Sequence, residues 1–428
     1  MTHTFDNLPF QPADILLPQD CDLSLWSVVA CDQYTSQPEY WQRVEERVGR
    51  APSSLRLILP ESCLEGPSVE TDVMEVNNTM TRYLRENRFR TIPNSMIYVE
   101  RTLHSGKVRR GLIGMADLEQ YNYEPGSASA IRATEGTVMS RIPPRVSVRK
   151  NAPVELPHAM LLVDDPKKTL LEPLAEQTEA MERLYDFELM EDGGHLRGWK
   201  LNQSHLEQVT QALLAIQERA NQEQDGLLFA VGDGNHSLAA AKEHYERRKR
   251  LTTPEQWPTL PSRHALVELV NLYDPAVEFL PIHRVVFGVE PLKALDALCR
   301  FEPNAVMGFR LDQSLRGKAM CFPYIHNEGE GEVAILSPDR LTYTGELQYF
   351  LDDYLSKHPQ ARVDYIHGED TARKLAQRPE TLVFLLPSIG KETLFPTVIR
   401  DGAFPLKSFS VGQANDKRFY LEARKIRV

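Results

Sequence analysis

Gly232-Asp233-Gly234-Asn235-His236-Ser237 is the stretch that decides how this chain is read. Ahead of it runs Leu227-Leu228-Phe229-Ala230-Val231, an apolar segment that predicts a buried strand. Behind it, Leu238-Ala239-Ala240-Ala241-Lys242-Glu243-His244-Tyr245 is a strong helix former. A strand, a two-glycine turn and a helix start make an anion site. Glycines let the backbone approach a ligand, and a helix start presents N–H groups and a positive dipole end. Asp233 adds a carboxylate at the same spot. His236 adds a base, a phosphate donor or a metal ligand, and the sequence leaves these open. His244 lies more than two helical turns from His236 and is expected to face solvent.

Working outward, the chain is long enough, at 428 residues, for two or three cores. It is 42% hydrophobic and 25% charged, the composition of a globular protein. A net charge of −11 argues against nucleic acid or an anionic membrane surface as a partner. No apolar run reaches the roughly 20 residues of a membrane span. The first residues lack the basic start and apolar stretch of a signal peptide, so a cytoplasmic location is expected. The five cysteines are widely spaced with no CxxC, which excludes a disulfide framework and a zinc finger. Cys31 is read as a buried thiol rather than a nucleophile. HExxH, GxxxxGK[ST] and GxSxG are all missing, and Ser237 breaks GxGxxG.

The pattern predicts an α/β protein. Helices are expected at 39–48, 69–87, 173–185 and 204–222, the last capped by Ser204. Ser95–Leu103 and Val108–Leu118 read as a hairpin, and 120–158 as a loop-rich stretch. Met160–Val163, Ala265–Leu272 and Val277–Leu280 read as strands, the last ending at Pro281. Residues 1–290 are taken as a core with N-terminal elaborations. Residues 291–428 are taken as a C-terminal α/β region whose basic tail docks back on the body.

Arg132, Arg141, Arg145 and Arg149 crowd one segment of an acidic chain. Their forks suit phosphate or carboxylate, and Thr134 and Thr137 add hydroxyls. Glu135 is a carboxylate within the same segment. The segment is either a wall of an anion pocket or an exposed loop paired with surface acids. Pro143-Pro144 is read as a stiff link. Asp164-Asp165-Pro166 ends a strand and is either a Mg²⁺ ligand pair or an Asx turn; the turn is the preferred reading.

Several segments together resemble the bacterial domain-of-unknown-function family 1015. They are Val28 to Thr35, Ile131 to Thr137, Arg141 to Arg145, Glu155-Leu156-Pro157-His158, Gly232 to Ser237 and Phe419 to Arg424. More distantly, Asp233 to Ser237 with Ala240 looks like the phosphate-binding turn of the ParB/sulfiredoxin superfold, which includes free L-serine kinases. That resemblance implies a ParB/sulfiredoxin-like core with insertions. It implies ADP or ATP with Mg²⁺, Asp233 as the base, and Glu135 orienting substrate. Gly232, Gly234, Asn235, His236, Ser237, Arg132, Thr137, Arg141 and Arg145 would then bind phosphate or nucleotide. The superfold's arginine falls on Ser237 here, which keeps a hydroxyl and loses a charge. The function so implied is phosphoryl transfer to a small hydroxyl substrate, with L-serine as a candidate. The alternative is a nucleotide-gated regulatory protein, and either allows a homodimer. Sulfiredoxin-type repair would need a thiol in the turn, which has none.

Overall fold

The computed structural model describes residues 5, 8–35, 37–64, 66–157, 159–309 and 319–427. His158, one of the family-resemblance residues, lies outside them. The chain forms two compact units, residues 1–277 with 412–428 and residues 278–411. The division falls ahead of residue 290, because the strand Phe279–Phe287 pairs within the second unit.

The first unit is organised by a ten-stranded mixed sheet. Its strands in chain order are β1 (Phe10–Gln11), β2 (Ile97–Thr102), β3 (Val108–Asp117), β4 (Tyr121–Asn122) and β5 (Ile131–Ala133). They continue with β6 (Met160–Val163), β7 (Glu182–Glu188), β8 (His195–Lys200), β9 (Phe229–Asp233) and β10 (His264–Asn271). The order across the sheet is β7-β8-β2-β3-β10-β6-β9-β5-β4, with β1 against β3. The α/β class expected from the sequence is what the structure shows.

Helices α1 (Val69–Arg85), α2 (Ile142–Lys150), α3 (Gln203–Glu223) and α4 (Asn235–Lys249) complete the frame. Leu206, Val209, Leu213, Ile216 and Ala220 recur at helical spacing on α3 and bury with Leu238, Ala241 and Tyr245 of α4. The opposite core takes Ile97, Val99, Ile113 and Leu266 from the sheet. Against them pack Trp26, Val44 and Met80 from the N-terminal part, and Phe419 to Leu421 from the tail.

Four local expectations need correcting. Residues 173–185 do not form one helix. A single turn, Glu172–Ala175, gives way to β7, whose residues pair with β8. The cap of α3 is Asn202, whose side chain accepts from the His205 N–H, and Ser204 donates to Asn202 instead. The stretch 120–158 contains α2, where Pro143-Pro144 sits in the first turn and needs no intrahelical donor. The strand Phe279–Phe287 runs through Pro281, which pairs with Phe409 at its outer part.

The second unit is a seven-stranded sheet. Helices Pro291–Phe301 and Tyr343–Lys357 cover one core through Leu295, Leu298, Leu347 and Phe350. Helix Glu369–Ala376 adds Ala372 and Ala376 to a smaller core with Val285 and Val383.

Candidate functional site

The strand β9 delivers the predicted turn intact. Opposite β6, Leu161 faces Val231 while Met160 faces Asp233, so Gly232 is an extra residue, a β-bulge. A Cβ on Gly232 would meet Leu162 Cγ at 2.7 Å, so this close approach requires glycine. Bulges re-aim side chains. This one turns the Asp233 carboxylate to meet Lys417, 3.5 Å from Asp233 Oδ2. The Gly234 N–H donates to Asp233 Oδ1 at 3.1 Å.

Gly234 is the N-cap of α4, with φ +78°, a left-handed conformation that favours glycine. No side chain caps this helix. Asn235, His236 and Ser237 therefore begin it with backbone N–H groups that have no partner within the helix. The Asn235 side chain is committed elsewhere. Its Oδ1 accepts from the Thr134 N–H at 3.1 Å, and its Nδ2 donates to Thr134 Oγ1. That hydroxyl donates to the Val231 carbonyl at 2.6 Å. Asn235 is thus a clasp between β5, β9 and α4. As a correction to the sequence reading, its side chain is engaged within the fold, and only its backbone N–H is left to meet an anion.

The segment after β5 folds over the helix start. Its Val138 N–H donates to His236 Nε2 at 3.2 Å, which places the ring proton on Nδ1. Burial, then the Arg145 and Arg141 guanidiniums, push His236 down to about 4, against Glu61 and Asp32. His236 is therefore neutral at pH 7. Thr137 Oγ1 is shut off from solvent and finds no hydrogen-bond partner among the described residues. Glu135 lies partly buried between the Thr134 and Val138 anchors.

Helix α2 packs on α4 through Ile142, Val146, Ala239 and Ala240. The small alanines let the two helices approach, and α2 brings its arginines to the site. Arg145 lies 2.9 Å and Arg141 3.8 Å from Glu61 Oε1. Arg149 pairs with buried Glu155, which also accepts from Arg424 Nε at 2.7 Å. Arg132 is corrected out of this group. It is buried and donates to the Ser129 and Asp225 carbonyls, with Asp225 Oδ2 at 3.3 Å.

A cavity of about 140 Å³ opens beside these residues. Arg145, Arg149, Ser237 and Ala240 line it with Glu61, Asp32 and Cys31. Leu57, Ile58, Leu64, Met80 and Val148 make its apolar side. At roughly 10–15 Å³ per enclosed water it has room for about ten waters, enough for a small organic ligand.

Two tail residues to which the sequence reading gave no site role belong here. Lys417 meets Asp233, and Tyr420 lines the cavity and donates to Cys31 Sγ at 3.2 Å. The Phe419-Tyr420 strand pairs with Val28-Val29, which puts the tail at the site. His244 is corrected as well. It is only 5% exposed, and burial with the nearby Arg149 and Arg248 pushes it to about 4.

The metal alternative finds little support in the donor set. Asp165 is buried and accepts from the Thr169 and Leu170 N–H groups, four and five residues on, so it ties down the following loop and does not make the Asx turn expected from the sequence. Asp164 Oδ2 accepts from Gln224 and lies 3.5 Å from Arg219. Among the described residues no three His, Cys, Asp or Glu side chains are grouped to hold a metal. No helix there is long and apolar enough to cross a membrane.

A family model matches residues 10–365. The chain belongs to that family, described as protein of unknown function (DUF1015). No curated protein matches the chain. Among solved structures it is similar to a conserved hypothetical protein from Pyrococcus furiosus. The identity is 12%, the TM-score 0.36, and the match covers 73% of this chain and 94% of that one. It is also similar to a free serine kinase mutant in complex with ADP, at 11% identity and TM-score 0.38, covering 75% and 93%. A C-terminally truncated SbnI from Staphylococcus aureus matches at 10% identity and TM-score 0.36, covering 72% and 82%.

Proposed function

We propose that this family member binds a nucleotide at the start of α4 and transfers a phosphoryl group from it to a small hydroxyl substrate, with L-serine the first candidate. One observation carries the reading. An uncapped helix start, with the Asp233 carboxylate at its edge, faces a segment that holds a buried unpartnered hydroxyl. The backbone N–H groups of Asn235 to Ser237, Thr137 Oγ1 and the Nδ1 proton of neutral His236 supply donors for phosphate oxygens. Arg145 and Arg141 supply positive charge. The apolar side of the cavity suits a base or an amino-acid side chain.

In the transfer, the substrate hydroxyl oxygen attacks the terminal phosphorus and the bond to the departing nucleotide oxygen breaks. Asp233 takes the hydroxyl proton, and Glu135 orients the substrate. Such reactions depend on positioning and charge stabilisation. Mg²⁺, which the kinase resemblance implies, would arrive with the nucleotide's phosphates.

Thermal shift with ADP, ATP, CTP, GTP and pyrophosphate, with and without Mg²⁺ and L-serine, tests the reading. A ligand that binds only the folded state raises the melting temperature. The expected result is a shift with ADP or ATP that is lost in His236→Ala, followed by phosphoserine formation. No shift with any nucleotide at millimolar concentration would end the proposal. A second reading, a nucleotide-gated regulator without turnover, draws on the Glu61 pairing of Arg145 and Arg141. An arriving phosphate must displace that carboxylate, which is a switch-like exchange. Tight binding without phosphoserine would favour it.

A further inference from the structure

Asp233 poses an electrostatic problem. A carboxylate at the edge of an anion site repels the phosphate that the helix start attracts. The structure puts a counter-charge on its other oxygen. Lys417 Nζ lies 3.5 Å from Asp233 Oδ2, and its side chain is only 9% exposed. Burying an ammonium is costly without a partner of opposite charge. Lys417 comes from residues 412–428, beyond the 10–365 that the family model matches.

Its position is fixed by a buried clamp. Arg101 donates to the carbonyls of Gly193, Asn415, Asp416 and Lys417. Arg109 donates to the Asp416 carbonyl at 2.8 Å. On the next residue, Arg418 pairs with Glu268 at 2.8 Å and with Glu422. Burial works to raise the Glu268 carboxyl, but Arg109 and Arg418 hold it below the usual carboxylate range. The Ala30 N–H donates to the Arg418 carbonyl at 2.7 Å. Both neighbours of Lys417 are pinned, so its ammonium is delivered to one place.

We propose that Lys417 is the positioning residue of this site, holding and neutralising the Asp233 carboxylate so that a phosphate-bearing ligand can approach the start of α4. The inference rests on the nucleotide reading above. Lys417 acts through Asp233, with Gly234 N–H on one carboxylate oxygen and Lys417 on the other.

A double-mutant cycle on ADP binding, read by calorimetry with folding checked by circular dichroism, tests it. Lys417→Met is expected to weaken ADP about tenfold or more, since the phosphate then meets an uncompensated carboxylate. Lys417→Arg should keep affinity near wild type. Asp233→Asn should bind ADP at least as tightly as wild type. Asp233→Asn combined with Lys417→Met should recover most of the loss, the coupling that such a cycle isolates. A merely structural lysine would show no such rescue. Folded Lys417→Met with unchanged ADP affinity, or losses that simply add, would overturn the proposal and leave the nucleotide reading standing. Should Lys417→Met not fold, weaker ADP binding by Asp233→Asn alone would overturn it. Wild-type protein that binds neither ADP nor pyrophosphate would remove both.

Discussion

Helices α3 and α4 pack in the same core, yet they begin in opposite ways. Helix α3 is closed. Asn202 caps it, and the His205 ring, in its first turn, accepts from the Asn202 N–H at 3.3 Å. Helix α4 is open. Its cap is a left-handed glycine without a side chain, and its first-turn histidine, His236, turns outward to the Val138 N–H. The same residue type closes one helix start and leaves the other available. A start satisfied by its own chain serves the fold. One left unsatisfied beside a carboxylate, two arginines and a cavity is where the proposed phosphate would sit.

The comparison breaks most sharply on turnover. Asp233→Asn is expected to lower phosphoserine formation by about 10²–10⁴-fold, the usual worth of a positioned base, without weakening ADP. Phosphoserine formation at the wild-type rate in this variant would remove Asp233 from the mechanism. Arg145→Ala should weaken ADP by about tenfold, as expected for loss of a charge-assisted phosphate contact. Unchanged affinity, read by calorimetry, would return α2 to a packing role. Gly234→Val should destabilise the protein by about 1–2 kcal/mol, since a β-branched residue resists the left-handed conformation. Denaturant melts would show it, and ADP binding should fall too. Asn202→Ala, at the closed start, should cost about 1 kcal/mol of stability and leave ADP affinity untouched. An equal effect of both cap variants on ADP would erase the distinction between the two helix starts.

Acid provides a further test. His236, His244 and His264 are each pushed to about 4, first by burial and then by nearby arginines. Unfolded, they titrate near 6.5. Between these values the unfolded chain binds more protons, so stability falls as the pH drops from about 6.5 towards 4. Melting temperatures followed across that range should decline, and the decline should be shallower in His244→Gln. An identical slope in that variant would remove His244 from the effect.

The sequence spoke clearly where chemistry is local. A run of apolar residues, two glycines and an alanine-rich stretch are enough to predict β9, the turn and α4, because each depends on neighbours in the chain. Arg132 shows the limit. Its type and spacing matched those of Arg145, but its guanidinium reaches the Asp225 carbonyl in the turn between α3 and β9 instead. Only the tertiary register decides between the two. His244 misled for a similar reason, since α2 and the Arg149–Glu155 pair cover a helix face that reads as polar. Residues 173–185 favour a helix by composition, yet β8 offers β7 a pairing edge. Lys417 was beyond local reading altogether, as its partner lies far away in sequence. The bulge that aims Asp233 at it is one extra residue against β6, and glycine is its only mark.

The first unit is assembled from residues on both sides of the second. On a ribosome, residues 1–277 emerge well before 412–428, with the whole second unit translated in between. Domains generally fold as units during synthesis. This one waits: until the tail arrives, Arg101, Arg109 and Glu268 face an unfilled slot and Asp233 lacks its counter-charge. A nascent chain that stops short of residue 412 therefore has the start of α4 without the lysine that meets Asp233.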